Sequence, residues 1–123
     1  MIQDRTLVTI ADNTGAKIGR IFKVIGSSKK RYARIGELVI LSVQIAEPRK
    51  GVKKKEVLQA VVVRTRAPFK RKDGSSIRFD ENAVVILEKG KKEPKAGRIF
   101  GPIPRELAEL GYQTIISRAP EVV

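Results

Sequence analysis

Isoleucine and valine together supply 27 residues of this chain and leucine only 7. That ratio constrains the fold more than any other feature. Branching at Cβ restricts χ1 in a helix and suits the pleated surface of a strand, so the chain leans heavily towards β structure. Six short segments carry the signal: residues 7–10, 17–25, 37–46, 56–66, 76–80 and 83–87. In the third, Val39, Leu41, Val43 and Ile45 alternate onto one face while Ser42 and Gln44 point the other way. This is the pattern of a half-buried antiparallel strand.

Turn chemistry separates these segments. Asp12-Asn13-Thr14-Gly15 ends the first and Gly26-Ser27-Ser28 the second, both rich in residues that favour turns. Asp73-Gly74 supplies the positive φ of a tight hairpin, and Asp80-Glu81-Asn82 is a short connection whose asparagine is able to sit in the left-handed region. Short strands joined by short turns predict a small antiparallel β-barrel, because closure removes exposed sheet edges. Near the C-terminus Pro104 suits a first helical turn and Gly111 a left-handed stop. Between them Leu107 and Leu110 are expected to share a face, with Arg105 and Glu109 at ion-pair spacing. A helix this short must pack on the barrel to persist. With 123 residues, no internal repeat and no linker, the chain reads as one domain able to bury its own core.

The missing residue types narrow the chemistry. There is no cysteine, hence no disulfide framework, thiolate nucleophile or cysteine-based zinc site. There is no histidine, hence no side chain that titrates near neutrality as a ready general base. The start, Met1-Ile2-Gln3-Asp4-Arg5, does not read as a secretory signal. The apolar runs are also far shorter than the ~20 residues of a membrane span. The expected compartment is the cytoplasm or its equivalent.

The formal net charge is +13, from 26 Lys and Arg against 13 Asp and Glu, and it is unevenly spread. Windows 29–34, 49–55, 64–72 and 89–98 hold 19 of the 26 basic residues and a single acid, Glu93; elsewhere acids outnumber bases. This predicts a mildly acidic barrel holding basic connections outward. One lysine-rich loop is ordinarily a solvated surface. Four such loops repel one another and point to a polyanionic partner. Arg31-Tyr32 and Phe69-Lys70-Arg71 set an aromatic beside cations, able to stack a base and grip its phosphate. Only six residues are Phe or Tyr and none is Trp, so recognition should rest on RNA backbone and shape, with affinity that falls steeply with salt.

Enzymatic readings find little support. Asp80 and Glu81 are adjacent, so their side chains diverge in extended or turn structure, and the turn already explains them. Asp12 and Glu37 lie at strand boundaries, where acidic caps are routine. Ser27-Ser28 beside Lys29 lacks an oriented base and an oxyanion hole. The glycines form neither G-x-G-x-x-G nor a phosphate-binding Walker loop.

One longer pattern is specific. Ala60-Val61-Val62-Val63, nine residues, Asp73-Gly74, four residues, Phe79, two residues, Asn82, two residues, Val85-Ile86 resembles the signature of the bacterial-type large-subunit ribosomal protein L-fourteen family, a universal ribosomal protein. Further stretches resemble the same family in the same order: Ala11-Asp12-Asn13-Thr14-Gly15-Ala16-Lys17, Arg31-Tyr32-Ala33 with Gly36, Val52-Lys53-Lys54, Arg98-Ile99-Phe100-Gly101-Pro102, Arg105-Glu106-Leu107, and Ile115-Ile116-Ser117 before Ala119-Pro120-Glu121-Val122. Departures are Ile21, where many members carry Cys; Lys55, where Gly is usual; Ala96-Gly97, where Gly-Thr is usual; Ala108, Leu110 and Thr114, where members are often basic; and Arg118, where Leu is usual.

The resemblance implies a mainly β fold, a small closed five-stranded antiparallel β-barrel with a protruding β-hairpin and short C-terminal helices. It would form one domain over 1–123 with a helical and loop region from about 98. It further implies a structural constituent of the large ribosomal subunit, on cytoplasmic or organellar ribosomes, without catalytic activity or cofactor. Its partners would be large-subunit ribosomal RNA, small-subunit ribosomal RNA across the subunit interface, neighbouring ribosomal proteins and a ribosome-silencing factor, with no membrane and no small-molecule substrate. The expected RNA-contacting residues are Lys17, Lys29, Lys30, Arg31, Tyr32, Arg34, Arg49, Lys50, Lys53, Lys54, Lys55, Arg64, Arg66, Lys70, Arg71, Lys72 and Arg78. Arg98, Ile99, Phe100, Gly101, Pro102, Arg105, Glu106 and Ser117 are expected at protein and bridge contacts. The competing reading is a soluble translation factor or RNA chaperone on a small barrel.

Overall fold

The computed structural model describes residues 2–3, 5–26, 32–48 and 52–123. The first strands are β1 (Ile2–Gln3), β2 (Leu7–Ile10), β3 (Ala16–Val24), β4 (Tyr32–Ala33), β5 (Leu38–Ala46) and β6 (Val57–Arg64). They are followed by β7 (Phe69–Lys70), β8 (Ser76–Ile77), β9 (Ala83–Ile86) and β10 (Pro102–Ile103). Helices α1 (Glu106–Glu109) and α2 (Gln113–Arg118) precede the last strand, β11 (Glu121–Val122).

Strands β2, β3, β5, β6 and β9 close into a barrel in that order. The expectation of a wholly antiparallel barrel is corrected by the closing pair: β2 and β9 run parallel, with Thr9 opposite Ala83 and Ile10 opposite Val84. The reason is arithmetic. A ring of alternating directions needs an even number of strands, so a five-stranded closure leaves one parallel pair. Outside the barrel, β1 pairs with β4, β7 with β8, and β10 with β11. The β7–β8 hairpin turns at Gly74, whose φ is 91°. Asp73 Oδ1 there accepts from both the amide and the hydroxyl of Ser75.

The apolar runs that do not alternate are the strands buried on both faces. In β6, Ala60 and Val62 point into the barrel with Val84 and Ile86 of β9. Val61, Val63 and Val85 point outward into a second cluster with Ile99, Ile103, Leu107, Tyr112 and Ile115. The C-terminal segment therefore packs on one wall of the barrel, which is how two short helices persist. Gly111 takes the expected positive φ, 95°. Leu107 is buried but Leu110 is 46% exposed, because the chain leaves the helix before Leu110 and the shared face ends there. Glu109 faces Lys72 at 3.6 Å, not Arg105.

Bulges decide which side chains face out. Val39, Leu41 and Val43 are buried as expected, but Ile45 is 51% exposed. Gln44 is an extra residue in β5 between the pairs Gly19 with Val43 and Ile18 with Ile45, and it reverses the alternation beyond it. Asn82 does not adopt the left-handed conformation; among the described residues other than glycine, only Arg5 (φ 69°) and Lys55 (φ 70°) do. Asn82 instead uses its side-chain oxygen to accept from the Arg66 amide at 2.9 Å.

Candidate nucleic-acid interface

The barrel strands contain no Asp or Glu, whereas Lys17, Arg20, Lys23 and Arg64 lie within them. The expected mildly acidic barrel is therefore corrected: the acids sit in the connections and the C-terminal region, mixed with the bases. Which cations are available for a partner depends on what each side chain already touches.

The turn after β5 is the most sharply built feature. Val52 is 1% exposed and belongs to the barrel core, so it pins the loop that carries the exposed Lys53, Lys54 and Lys55. The Lys53 carbonyl accepts from the Glu56 amide at 3.2 Å, and the Glu56 carboxylate accepts from the Lys53 amide at 3.0 Å. The amide of Lys55 donates to the Val43 carbonyl while the Val43 amide donates to the Glu56 carbonyl, so two residues oppose one. Lys55 is the left-handed residue of this bulge, a position where glycine is the usual choice. Three consecutive lysines thus project from a turn whose Lys53, Lys55 and Glu56 amides are all hydrogen-bonded.

A second group of cations converges from distant parts of the sequence. Arg34, Ile35, Phe69 and Lys70 line two adjoining surface grooves, one continuing past Tyr32 and Pro68, the other past Arg105 and Leu110. Tyr32 is 44% exposed and Arg34 and Lys70 are exposed, so cations of two sequence windows share an apolar-floored surface. Arg66 and Arg78 are exposed nearby in sequence. Lys17 is exposed with Glu47 at 3.5 Å, and Lys72 with Glu109; such exposed pairs hold their partners weakly. Lys29, Lys30, Arg31, Arg49 and Lys50 lie outside the described residues.

Two expected RNA contacts face inward instead. Arg64 is 5% exposed. Its Nη1 donates to the carbonyls of Phe100 at 2.8 Å and Pro102 at 3.0 Å, and its Nη2 donates to Glu81 at 3.0 Å. Gly101, at φ 79°, leaves the room this needs: a Cβ there would stand 2.6 Å from Arg64 Nη1. Arg71 forms an ion pair with Glu106 at 2.9 Å and donates to the Val123 carbonyl at 2.8 Å. Both arginines fasten the C-terminal segment to the body of the protein. Burial among desolvated backbone is not visible in a charge run, so the windows grouped them with the surface lysines.

The residues expected at protein contacts divide likewise. Arg98 is exposed with its guanidinium 5.9 Å from the Phe100 ring, which is 46% exposed. Arg105 and Ser117 are exposed, and the Ser117 hydroxyl donates to the Thr114 carbonyl. Gly101 and Pro102 are partly exposed, Glu106 is occupied by Arg71, and Ile99 is buried in the second cluster. Arg118 donates to the carbonyls of Pro94 and Ala96, and Lys92 donates to the Leu110 carbonyl and lies over the Tyr112 ring. The 89–98 window is thereby tied to the C-terminal helices.

Among the described residues three groups have shifted titration. Burial pushes the Asp12 carboxyl above its ordinary value, against hydrogen bonds from Thr14 and the Ile86 amide that pull it down. Hydrogen bonds from Ser75 hold Asp73 low, and burial raises the Tyr112 phenol. Asp12 is structural: it joins the end of β2 to β9 through Ile86 and orders the turn at Thr14. Among the described residues no group of three carboxylates is placed to hold a metal ion.

The model of the family Ribosomal protein L14p/L23e matches residues 1–123. The chain belongs to that family. It is a large-subunit ribosomal protein, and the family is structural rather than catalytic. The family's signature residues map mainly to packing and turns: Ala60–Val63, Val85 and Ile86 are core, Asp73 and Gly74 make the hairpin turn, and Phe79 packs on the second cluster.

Proposed function

We propose that this protein is a one-domain structural component of the ribosome that grips large-subunit ribosomal RNA by its backbone. The grip uses the turn Lys53, Lys54 and Lys55 together with Tyr32, Arg34, Arg66, Lys70 and Arg78. The surface at Arg98, Phe100, Arg105 and Ser117 serves contacts to small-subunit RNA, to neighbouring ribosomal proteins and to a silencing factor, on cytoplasmic or organellar ribosomes. The observation that carries the RNA reading is the Val52-pinned turn. It carries three consecutive exposed lysines, and neutralising their mutual repulsion favours a polyanionic partner.

Co-sedimentation with ribosomal subunits tests this. The protein should remain with the large subunit through a moderate salt wash. Recovery only in the ribosome-free fraction would overturn the structural assignment in favour of a soluble RNA-binding factor.

A further inference from the structure

The outer face of β3 belongs to none of the four basic windows. Arg20 is exposed, Ile21 is fully buried, and Phe22 and Lys23 are both exposed. Simple alternation would turn Lys23 inward. The register explains why it does not: Ile21 lies opposite Leu41 and Lys23 opposite Ile40, so Phe22 is an extra residue at a bulge. A bulge re-aims side chains at a small local cost, and here it keeps an aromatic ring, 47% exposed, between two outward cations.

The surroundings are complementary to an anion. Arg20 lies in register with Leu7 on one side and Ser42 on the other, and Ser42 lies opposite Val57. Leu7 and Val57 are more than half exposed. No acid occurs in β2, β3, β5 or β6. Arg5, whose amide donates to the Ile21 carbonyl, stands beside this row. Among the described residues the side chains of Arg5, Arg20 and Lys23 have no hydrogen-bond or ion-pair partner. A ring on a strand paired on both sides and flanked by free cations matches how single-stranded nucleic acid is held, with bases stacking on aromatics and phosphates meeting Lys and Arg.

We propose that this face, centred on Phe22, binds a single-stranded RNA segment, with one base stacked on the ring and neighbouring phosphates on Arg20 and Lys23. The inference rests on the RNA-binding reading above and adds a second site of different character. The lysine turn reads backbone charge, whereas Phe22 requires an unpaired base.

Fluorescence anisotropy of the full chain with a labelled uridine decamer and a labelled RNA hairpin separates the two. Phe22→Val should weaken decamer binding about tenfold, as expected for one stacked base, and leave hairpin binding within about twofold. Phe22→Tyr, which keeps the ring, should bind the decamer like the wild type. Replacing Arg20 and Lys23 with Gln should weaken decamer binding and lower its salt slope by about 1.4, from about 0.7 for each single-strand phosphate contact. Unchanged decamer affinity in Phe22→Val, with hairpin binding intact, would overturn this site and leave the lysine turn standing. Failure of the wild type to bind either RNA would overturn the RNA-binding reading itself.

Discussion

Arg64 offers the sharpest test of which cations serve the fold. Substitution by methionine keeps most of the side-chain volume and removes the guanidinium. The Phe100 and Pro102 carbonyls, at 2.8 and 3.0 Å, then lose their donor; hydrogen bonds to a charged group contribute about 1.5–3 kcal/mol each. The contact with Glu81, whose side chain is 48% exposed, adds about 0–1 kcal/mol because solvent screens it. Relief from burying a guanidinium offsets part of the loss. The net expectation is a destabilisation of about 3 kcal/mol, or a fall of about 12 °C in Tm for a chain of this length. Urea unfolding followed by circular dichroism measures the first quantity. Hydrogen exchange should show the loss concentrated at residues 98–104, where the clasp acts. RNA binding measured well below the variant's Tm should keep the wild-type salt slope, since the Arg64 guanidinium is buried and occupied by Phe100, Pro102 and Glu81. A destabilisation under about 1 kcal/mol, or a salt slope reduced by about one unit, would return Arg64 to the interface.

Replacing Lys53, Lys54 and Lys55 together with Gln should flatten the dependence of log affinity on log salt by about 2–3 units, while Tm stays within about 2 °C because the changes are exposed; an unaltered slope would remove this turn from the interface. Lys55→Gly relieves a left-handed side chain at φ 70°, so thermal melts should show stability unchanged or raised by up to about 1 kcal/mol, with a salt slope lower by about one unit; clear destabilisation would contradict the turn geometry. Asp12→Asn should cost about 1–2 kcal/mol near pH 7, because Oδ1 accepts from Thr14 and Oδ2 from the Ile86 amide, and asparagine turns one of these acceptors into an NH2 donor. Since the Asp12 carboxyl is raised from 3.8, the folded state binds its proton at higher pH than the unfolded chain does. The Asp12 contribution therefore grows as pH falls through the raised value towards 3.8. Urea midpoints of wild type and variant should diverge further at about pH 4 than at pH 7, and a gap that narrows would reverse the assigned sign.

Much of the architecture was legible locally. The excess of Cβ-branched residues, the 7–10 strand and the Asp73-Gly74 turn are set by interactions within a few residues, and the structure keeps them. The settings of Asn82 and Ile45 were not legible, because each answers to a distant partner: the Arg66 amide in one case, the β3 register in the other. The basic windows were visible as composition, but composition cannot separate Lys53, which projects outward, from Arg64, which turns in. That choice rests on Phe100, Pro102 and Glu81, up to 38 residues away. The outward direction of Phe22 and Lys23 is set by a bulge, which no run of charges reveals.

By itself, then, the sequence determined a β fold, the absence of thiol and imidazole chemistry, a strongly cationic chain and, through its ordered motifs, the family. Tertiary structure decided the rest: the parallel closure of an odd-numbered ring, the wall on which the C-terminal helices pack, and which cations remain free. The physical reason is range. Propensity and turn chemistry act over a few residues, whereas burial, register and desolvation of a guanidinium are settled only when strands far apart in the chain meet.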